Sequence, residues 1–206
     1  MPIRYEDLVA MSELGSEVPV SEIQAAISSS DSYLNWIGAK LAGQSRDVRW
    51  VARLKELAIK PYEEGGPDVS TIAVWALARM PHEVVAAVSE ELANEHCVQS
   101  RRAAADLIGE AKDKSGLNLL ARLLDDEEME VVKWSALSLA KVGEESVDVL
   151  KKKGLASGDI RVVGYCLDGL LKLGKEDLAK SVVVDRQGEF SEDLSTLINA
   201  LERQNA

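Results

Sequence analysis

Four stretches of the chain superimpose without a gap when the sequence is shifted by 31 residues: VSTIAVWALARMP (69–81), SRRAAADLIGEAK (100–112), VVKWSALSLAKVG (131–143) and VVGYCLDGLLKLG (162–174). One aligned column holds only small side chains, Ala73, Ala104, Ser135 and Cys166. The next holds Val74, Ala105, Ala136 and Leu167, and two further columns are Leu77, Ile108, Leu139, Leu170 and Met80, Ala111, Val142, Leu173. Columns three and four apart mark one face of a helix. Two of the stretches close on glycine, Gly143 and Gly174, the residue that most readily ends a helix in the left-handed conformation. A fixed period of this length means one supersecondary unit repeated, and it constrains the fold more than any single element does.

The half of each unit that precedes these stretches is periodic as well. Leu54, Val85, Gly116 and Val147 share one register, and Leu57, Val88, Leu119 and Leu150 another three residues on. Each unit therefore reads as a helical hairpin: a first helix, a short polar turn such as DDEE (125–128), and a second helix. A hairpin that cannot bury its apolar face alone must stack on its neighbours. The expected architecture is all-α, an α-solenoid of about six hairpins forming a single domain over residues 1–206. Residues 1–20 are a lead-in; units follow at 21–45, 46–81, 82–112, 113–143 and 144–174; and residues 175–206 form a capping repeat that keeps register through Leu178, Leu197, Ile198 and Leu201. The loop PYEEGGPD (61–68) is the longest turn and interrupts the strict period.

Composition narrows the function classes. With 46% hydrophobic and 29% charged residues the chain is globular rather than disordered. No apolar run reaches the ~18 residues that span a bilayer, and the acidic N-terminus lacks the basic-then-apolar order of a signal peptide, so a cytoplasmic location is expected, with no membrane association. The net charge of −11 is spread evenly, −5 over 1–103 and −6 over 104–206. Such a chain is poorly suited to neutralising phosphates, and nucleic acid is a disfavoured partner. The net charge instead suits a partner of basic character. The basic run KKK (151–153) reads as a solvated helix end.

The repeat itself resembles the HEAT-like repeat of the phycobilisome-lyase type, with its D-x-x-x-x-V-R-x-x-A-A-x-A-L-G-x-I-G consensus. SRRAAADLIGEAKD and VVKWSALSLAKVGEE carry the resemblance best, and it extends over residues 46–174. It implies a right-handed superhelix whose second helices line the concave side. The Arg column of that pattern reads Ser70, Arg101, Val132, Val163 here, and its Asp column keeps Glu95 and Asp126 before Ser157. The ladder of Asp–Arg links between units is thus mostly missing, which leaves stacking to apolar packing.

On a helical wheel of the second helix, the column of Trp75, Asp106, Leu137 and Asp168 points almost directly away from the buried columns. The columns of Ile72, Ala103, Trp134, Tyr165 and of Thr71, Arg102, Lys133, Gly164 flank it. Large apolar residues therefore recur where water is expected: Ile72, Trp75, Trp134, Leu137 and Tyr165, with Met129 in the adjoining turn and Trp36 in the N-terminal hairpin. Exposed clusters of this kind mark interaction sites, and Trp and Tyr dominate their energetics. Lys133 and Arg102 stand beside them, placed to orient carboxylates. The expected function is a non-catalytic scaffold that binds a protein or peptide on the concave face through Ile72, Trp75, Arg102, Met129, Lys133, Trp134, Leu137 and Tyr165. Cover by the lead-in and self-association are the competing explanations for these aromatics.

Catalytic chemistry is not apparent. EHC at 95–97 juxtaposes an acid, an imidazole and a thiol, but sequence neighbours on a helix or turn do not face a common point. Cys166 belongs to a small-residue core column. No phosphate loop, nucleotide fingerprint or metal spacing occurs, so no catalytic residue, metal or cofactor is expected. The family resemblance leaves a lyase-type or chaperone accessory role resembling phycobilin lyase subunits as one alternative. A toxin-neutralising, immunity-like role is another, suggested by the acidity.

Overall fold

The computed structural model describes residues 4–14 and 17–186, and among these it contains α-helices and short 3-10 turns. The helices are α1 (Tyr5–Glu13), α2 (Val20–Ile27), α3 (Ser32–Ser45), α4 (Val51–Ala58), α5 (Val69–Leu77), α6 (His82–Ala93), α7 (Val98–Ala111), α8 (Leu117–Leu123), α9 (Met129–Val142), α10 (Val147–Ala156), α11 (Ile160–Lys172) and α12 (Glu176–Arg186). None of the described helices is long and apolar enough to cross a membrane. Of the residues expected to continue the last repeat, Leu178 lies in α12, while Leu197, Ile198 and Leu201 lie outside the described residues.

Pairing follows the repeat. α2 packs on α3, α4 on α5, α6 on α7, α8 on α9 and α10 on α11, and α12 packs on α10 and α11. The second helices also pack directly on one another, α3 on α5, α5 on α7, α7 on α9 and α9 on α11, which makes the assembly an α-solenoid. Ala73, Ala104, Ser135 and Cys166 are all at 0% exposure, because this column is where each second helix meets its neighbours most closely. Burial in that column pushes the Cys166 thiol up to about 12, so it serves as a small core side chain rather than a reactive one. The Leu77, Ile108, Leu139, Leu170 column and the Leu57, Val88, Leu119, Leu150 column are buried throughout. Three first helices are entered through a 3-10 turn, Val48–Trp50, Lys114–Gly116 and Glu144–Ser146.

Caps define the ends. Asp31 accepts from the amides of Tyr33 and Leu34, Asp68 from that of Thr71, and Asp159 from that of Arg161, each satisfying first-turn donors of a second helix. At the other end, Lys112, Gly143 and Gly174 occupy successive repeats and share positive φ, at 51°, 110° and 68°. Lys112 closes α7 as Gly174 closes α11: the amide of Asp113 reaches the carbonyl of Ile108 at 3.0 Å, and that of Lys175 reaches Leu170 at 2.9 Å. A side chain is strained there, whereas glycine is not. Replacing Lys112→Gly is therefore expected to raise stability by about 1 kcal/mol, read as a thermal midpoint about 2–4 °C higher. No ion pair of Lys112 would be lost among the described residues.

Ionic links between units are more numerous than the mostly missing Asp–Arg ladder suggested. Arg101 on α7 does meet Asp126 in the next unit's turn, through paired contacts of 2.7 and 2.9 Å. On the first-helix side, Lys55 bonds Glu91, Arg122 reaches Glu90 at 3.0 Å, and Lys153 bonds Asp125. At the turns between units, Lys114 bonds Glu145 and Lys175 reaches Glu144 at 2.7 Å. Most of these are exposed and each adds little; the apolar columns hold the stack.

Candidate functional site

The second helices place the expected site residues on one side of the stack. Ile72 and Trp75 come from α5, Arg102 from α7, Met129, Lys133, Trp134 and Leu137 from α9, and Tyr165 from α11. The structure corrects the expectation that the apolar members stand free in water. Ile72, Trp75, Met129, Trp134, Leu137 and Tyr165 are half-buried, and all but Leu137 belong to the layer packed against the core. Asp106, in the column expected to point directly outward, is only 7% exposed. The reason is the close approach of adjacent second helices. A Cβ at Gly43 would lie 2.7 Å from the Cα of Ala76 and 2.9 Å from Cζ3 of Trp75, and one at Gly109 would lie 2.8 Å from the Cα of Ser138. With glycine at those crossings, a side chain leaving one helix outward is flanked by the next helix.

The indoles are also covered by cations of the same chain. The Arg79 guanidinium lies 4.6 Å from the Trp75 ring, and Lys40 lies 5.6 Å from that of Trp36. Trp134 is bracketed: Arg102 reaches across from α7 to 4.8 Å, and Lys141, two turns further along α9, comes to 6.0 Å. Both cations are anchored in turn. Arg102 pairs with Glu130 at 3.2 Å, and Lys141 with Asp106 at 2.8 Å and Glu110 at 3.6 Å. Burial works to lower the Lys141 ammonium pKa, but the hydrogen bond and charge of Asp106, joined by Glu110, outweigh it and raise it. Lys133 is exposed, and Asp168 bonds Lys172 within α11 at 2.7 Å.

A cavity of about 200 Å³ opens beside Arg102, between the 61–68 loop, α5 and α7, and is lined by Lys60, Tyr62, Asp68 and Asp106 among others. Burial would raise the pKa of Asp68, but the amide and hydroxyl of Thr71, the hydroxyl of Ser70 and the Arg102 charge together hold it below the usual carboxylate range. Of the lead-in, residues 4–14 and 17–20 are described. α1 packs on α3, burying Leu8, setting Tyr5 edge-on to Tyr33 at 5.7 Å and joining Ser12 to Gln44.

The EHC triplet is taken apart by its surroundings. Glu95 accepts from the Ser100 hydroxyl, the carbonyl of His96 accepts from Arg101 at 2.8 Å, and Cys97 lies exposed at the start of α7. Glu128, at the start of α9, makes no side-chain cap, and in the same turn Asp126 binds Arg101 and the Glu128 amide.

Residues 85–163, the centre of this stack, match the profile of HEAT repeats. The solved Escherichia coli protein YibA is 18% identical and covers 97% of this chain and 87% of its own, with a TM-score of 0.51. The centre of the chain is thus built of HEAT repeats. The chain is also similar to the complex of CpcE and CpcF of phycocyanin lyase from Nostoc sp. PCC7120, at 19% identity over 88% of this chain and 74% of that one, TM-score 0.49. No curated protein matches its sequence.

What the sequence did not reveal is the part played by Lys40, Arg79 and Lys141. Lys40 and Lys141 lie one and two turns along a helix from a Trp, and Arg79 lies just past the end of α5, all at positions that read as ordinary solvated charges. The i to i+4 spacing of Trp36 to Lys40 and of Trp75 to Arg79 was the available signal.

Proposed function

We propose that this chain is a non-catalytic scaffold that binds a segment of a protein partner across its second-helix face. The observation behind this reading is the pair of cation-covered indoles on the second helices α5 and α9: Trp75 wedged at the Gly43 crossing under Arg79, and Trp134 held between Arg102 and Lys141. Side chains already fixed in place lose little entropy when a partner binds, and Trp, Tyr and Arg are the residue types from which interface hot spots are made. Repeat stacking supplies an extended surface on which a linear segment can contact several units in turn. Tyr165 on α11 and the half-buried Ile72 on α5 and Leu137 on α9 belong to the same set of second-helix side chains. The experiment is affinity capture from the native host with wild type and with Trp75→Ala/Trp134→Ala, the latter checked for an unchanged helical spectrum. Recovery of the wild-type partner is expected to fall at least about tenfold in the double variant. A folded double variant that keeps every partner would remove the reading.

A further inference from the structure

We propose that the segment bound by this face is acidic, an extended stretch carrying carboxylates at about every third residue. The inference rests on the docking reading just given and specifies its partner. The whole chain has 24 basic against 35 acidic residues, so a surface patch drawn at random would be acidic. The second-helix face is the reverse. The second helices carry the cations Lys40, Arg101, Arg102, Lys133, Lys141, Arg161 and Lys172, with Arg79 just past the end of α5, against the acids Asp106, Glu110, Glu130 and Asp168. All four acids are already committed, Asp106 and Glu110 to Lys141, Glu130 to Arg102 and Asp168 to Lys172. Lys40, Arg79 and Lys133 have no ion pair among the described residues. A surplus of positive charge is thus concentrated on this face, with no counter-charge supplied to these three cations by the described residues.

The covered indoles decide the sign independently. Arg79 and Lys40 rest on the rings of Trp75 and Trp36. A basic or purely apolar side chain arriving at those rings would have to displace a cation from them. A carboxylate bonds the cation where it already lies, and the ring has fixed that cation beforehand. Spacing follows from the stack. Adjacent packed helices lie ~8–10 Å apart, and an extended chain advances ~3.3 Å per residue, so successive second helices meet every third residue of a segment running across them. From Lys40 on α3 to Lys133 on α9 is three such steps.

The test uses labelled twelve-residue peptides with Glu, Gln or Lys at every third position, and a single-stranded oligothymidylate, titrated by fluorescence anisotropy at low and moderate salt. The Glu peptide is expected to bind about tenfold or more tightly than the Gln and Lys peptides, to weaken as salt rises, and to lose about tenfold in affinity to Lys40→Glu/Arg79→Glu/Lys133→Glu. That variant breaks no ion pair among the described residues, and its thermal midpoint shows whether it folds as wild type. Equal or tighter binding of the Lys peptide, no binding of the Glu peptide at about 1 mM, or an unchanged affinity in the folded triple variant each overturns the proposal. Tighter binding of the oligothymidylate overturns it in favour of nucleic acid. The two failures are separable. A captured partner lost by Trp75→Ala/Trp134→Ala yet indifferent to the triple charge reversal leaves the docking face standing and removes its acidic specificity. A partner that ignores the Trp substitutions removes the docking face itself.

Discussion

Gly38→Ala is expected to cost about 3 kcal/mol or more, the upper end of what overpacking does in a protein core. A Cβ at residue 38 would sit 2.5 Å from the amide nitrogen of Ile27, 2.8 Å from its Cα and 2.9 Å from the carbonyl carbon of Ala26. All three are backbone atoms, so no side chain can turn aside, and α3 itself must move away from α2. That movement would strain the buried Asn35 amide, which donates to the carbonyls of Ala26, Ile27 and Ser29 at 3.3, 3.2 and 2.7 Å and satisfies the end of α2. Arg53 of the next unit shares the Ile27 carbonyl at 2.9 Å, so the disturbance reaches α4. Circular dichroism melts would show the loss as a midpoint lowered by about 6–12 °C. Gly158→Ala is the control, since nothing lies within 4 Å of a Cβ there, and it is expected to stay within about 0.5 kcal/mol of wild type. Gly116→Ala should fall between, because the Cβ would press on Ile108 side-chain atoms, the nearest at 2.6 Å, and a side chain can give. Equal midpoints for all three variants would show that the close crossing of α2 and α3 is not tight in solution.

Gly38 was not singled out by the repeat, and the reason generalises. Alignment by period reports which residues share an environment, so it located the Ala73 and Leu77 columns well: both are buried from end to end. It is insensitive to the closeness of one particular crossing, which depends on two residues in different helices. Gly43 and Gly109 stand at equivalent crossings, but the long 61–68 loop puts them 66 residues apart and outside the strict register. Missing those crossings is also why the aromatics were expected in water. A helical wheel treats each helix alone, and Trp75 and Trp134 do leave their own helices on the outer side; a neighbouring helix brought close by glycine half-buries them. Their cationic covers were equally invisible, since Arg102 and Trp134 are 32 residues apart in sequence and meet only because α7 and α9 stack. The residue types were legible, then, and the contacts between units were not.

The link between Arg101 and Asp126 tests how much one such contact contributes. Both side chains are nearly covered, at 12% and 8% exposure, and the guanidinium also donates to the carbonyl of His96 at 2.8 Å. Removing one partner leaves the other charge in a poorly hydrated crevice between units. Arg101→Met is therefore expected to cost about 2 kcal/mol, between the few tenths measured for exposed pairs and the several kcal/mol of fully buried ones. The double variant Arg101→Met/Asp126→Leu should recover a large part of this, because it strands no charge. Acid provides a second readout. Burial would raise the Asp126 pKa, but the Arg101 hydrogen bond, the Glu128 amide and the Arg101 charge outweigh it and hold it below the ordinary 3.8. A carboxyl depressed by folding stabilises the protein fully above its unfolded pKa and progressively less as the pH falls through the folded one. The stability gap between wild type and Asp126→Asn, measured by urea denaturation, should thus be constant above about pH 5 and narrow below about pH 4. A gap independent of pH would mean that the carboxylate charge contributes nothing at this joint. A double variant no more stable than Arg101→Met would mean that the pair is replaceable only in kind, and that the one surviving rung of the ladder fixes how these two units meet.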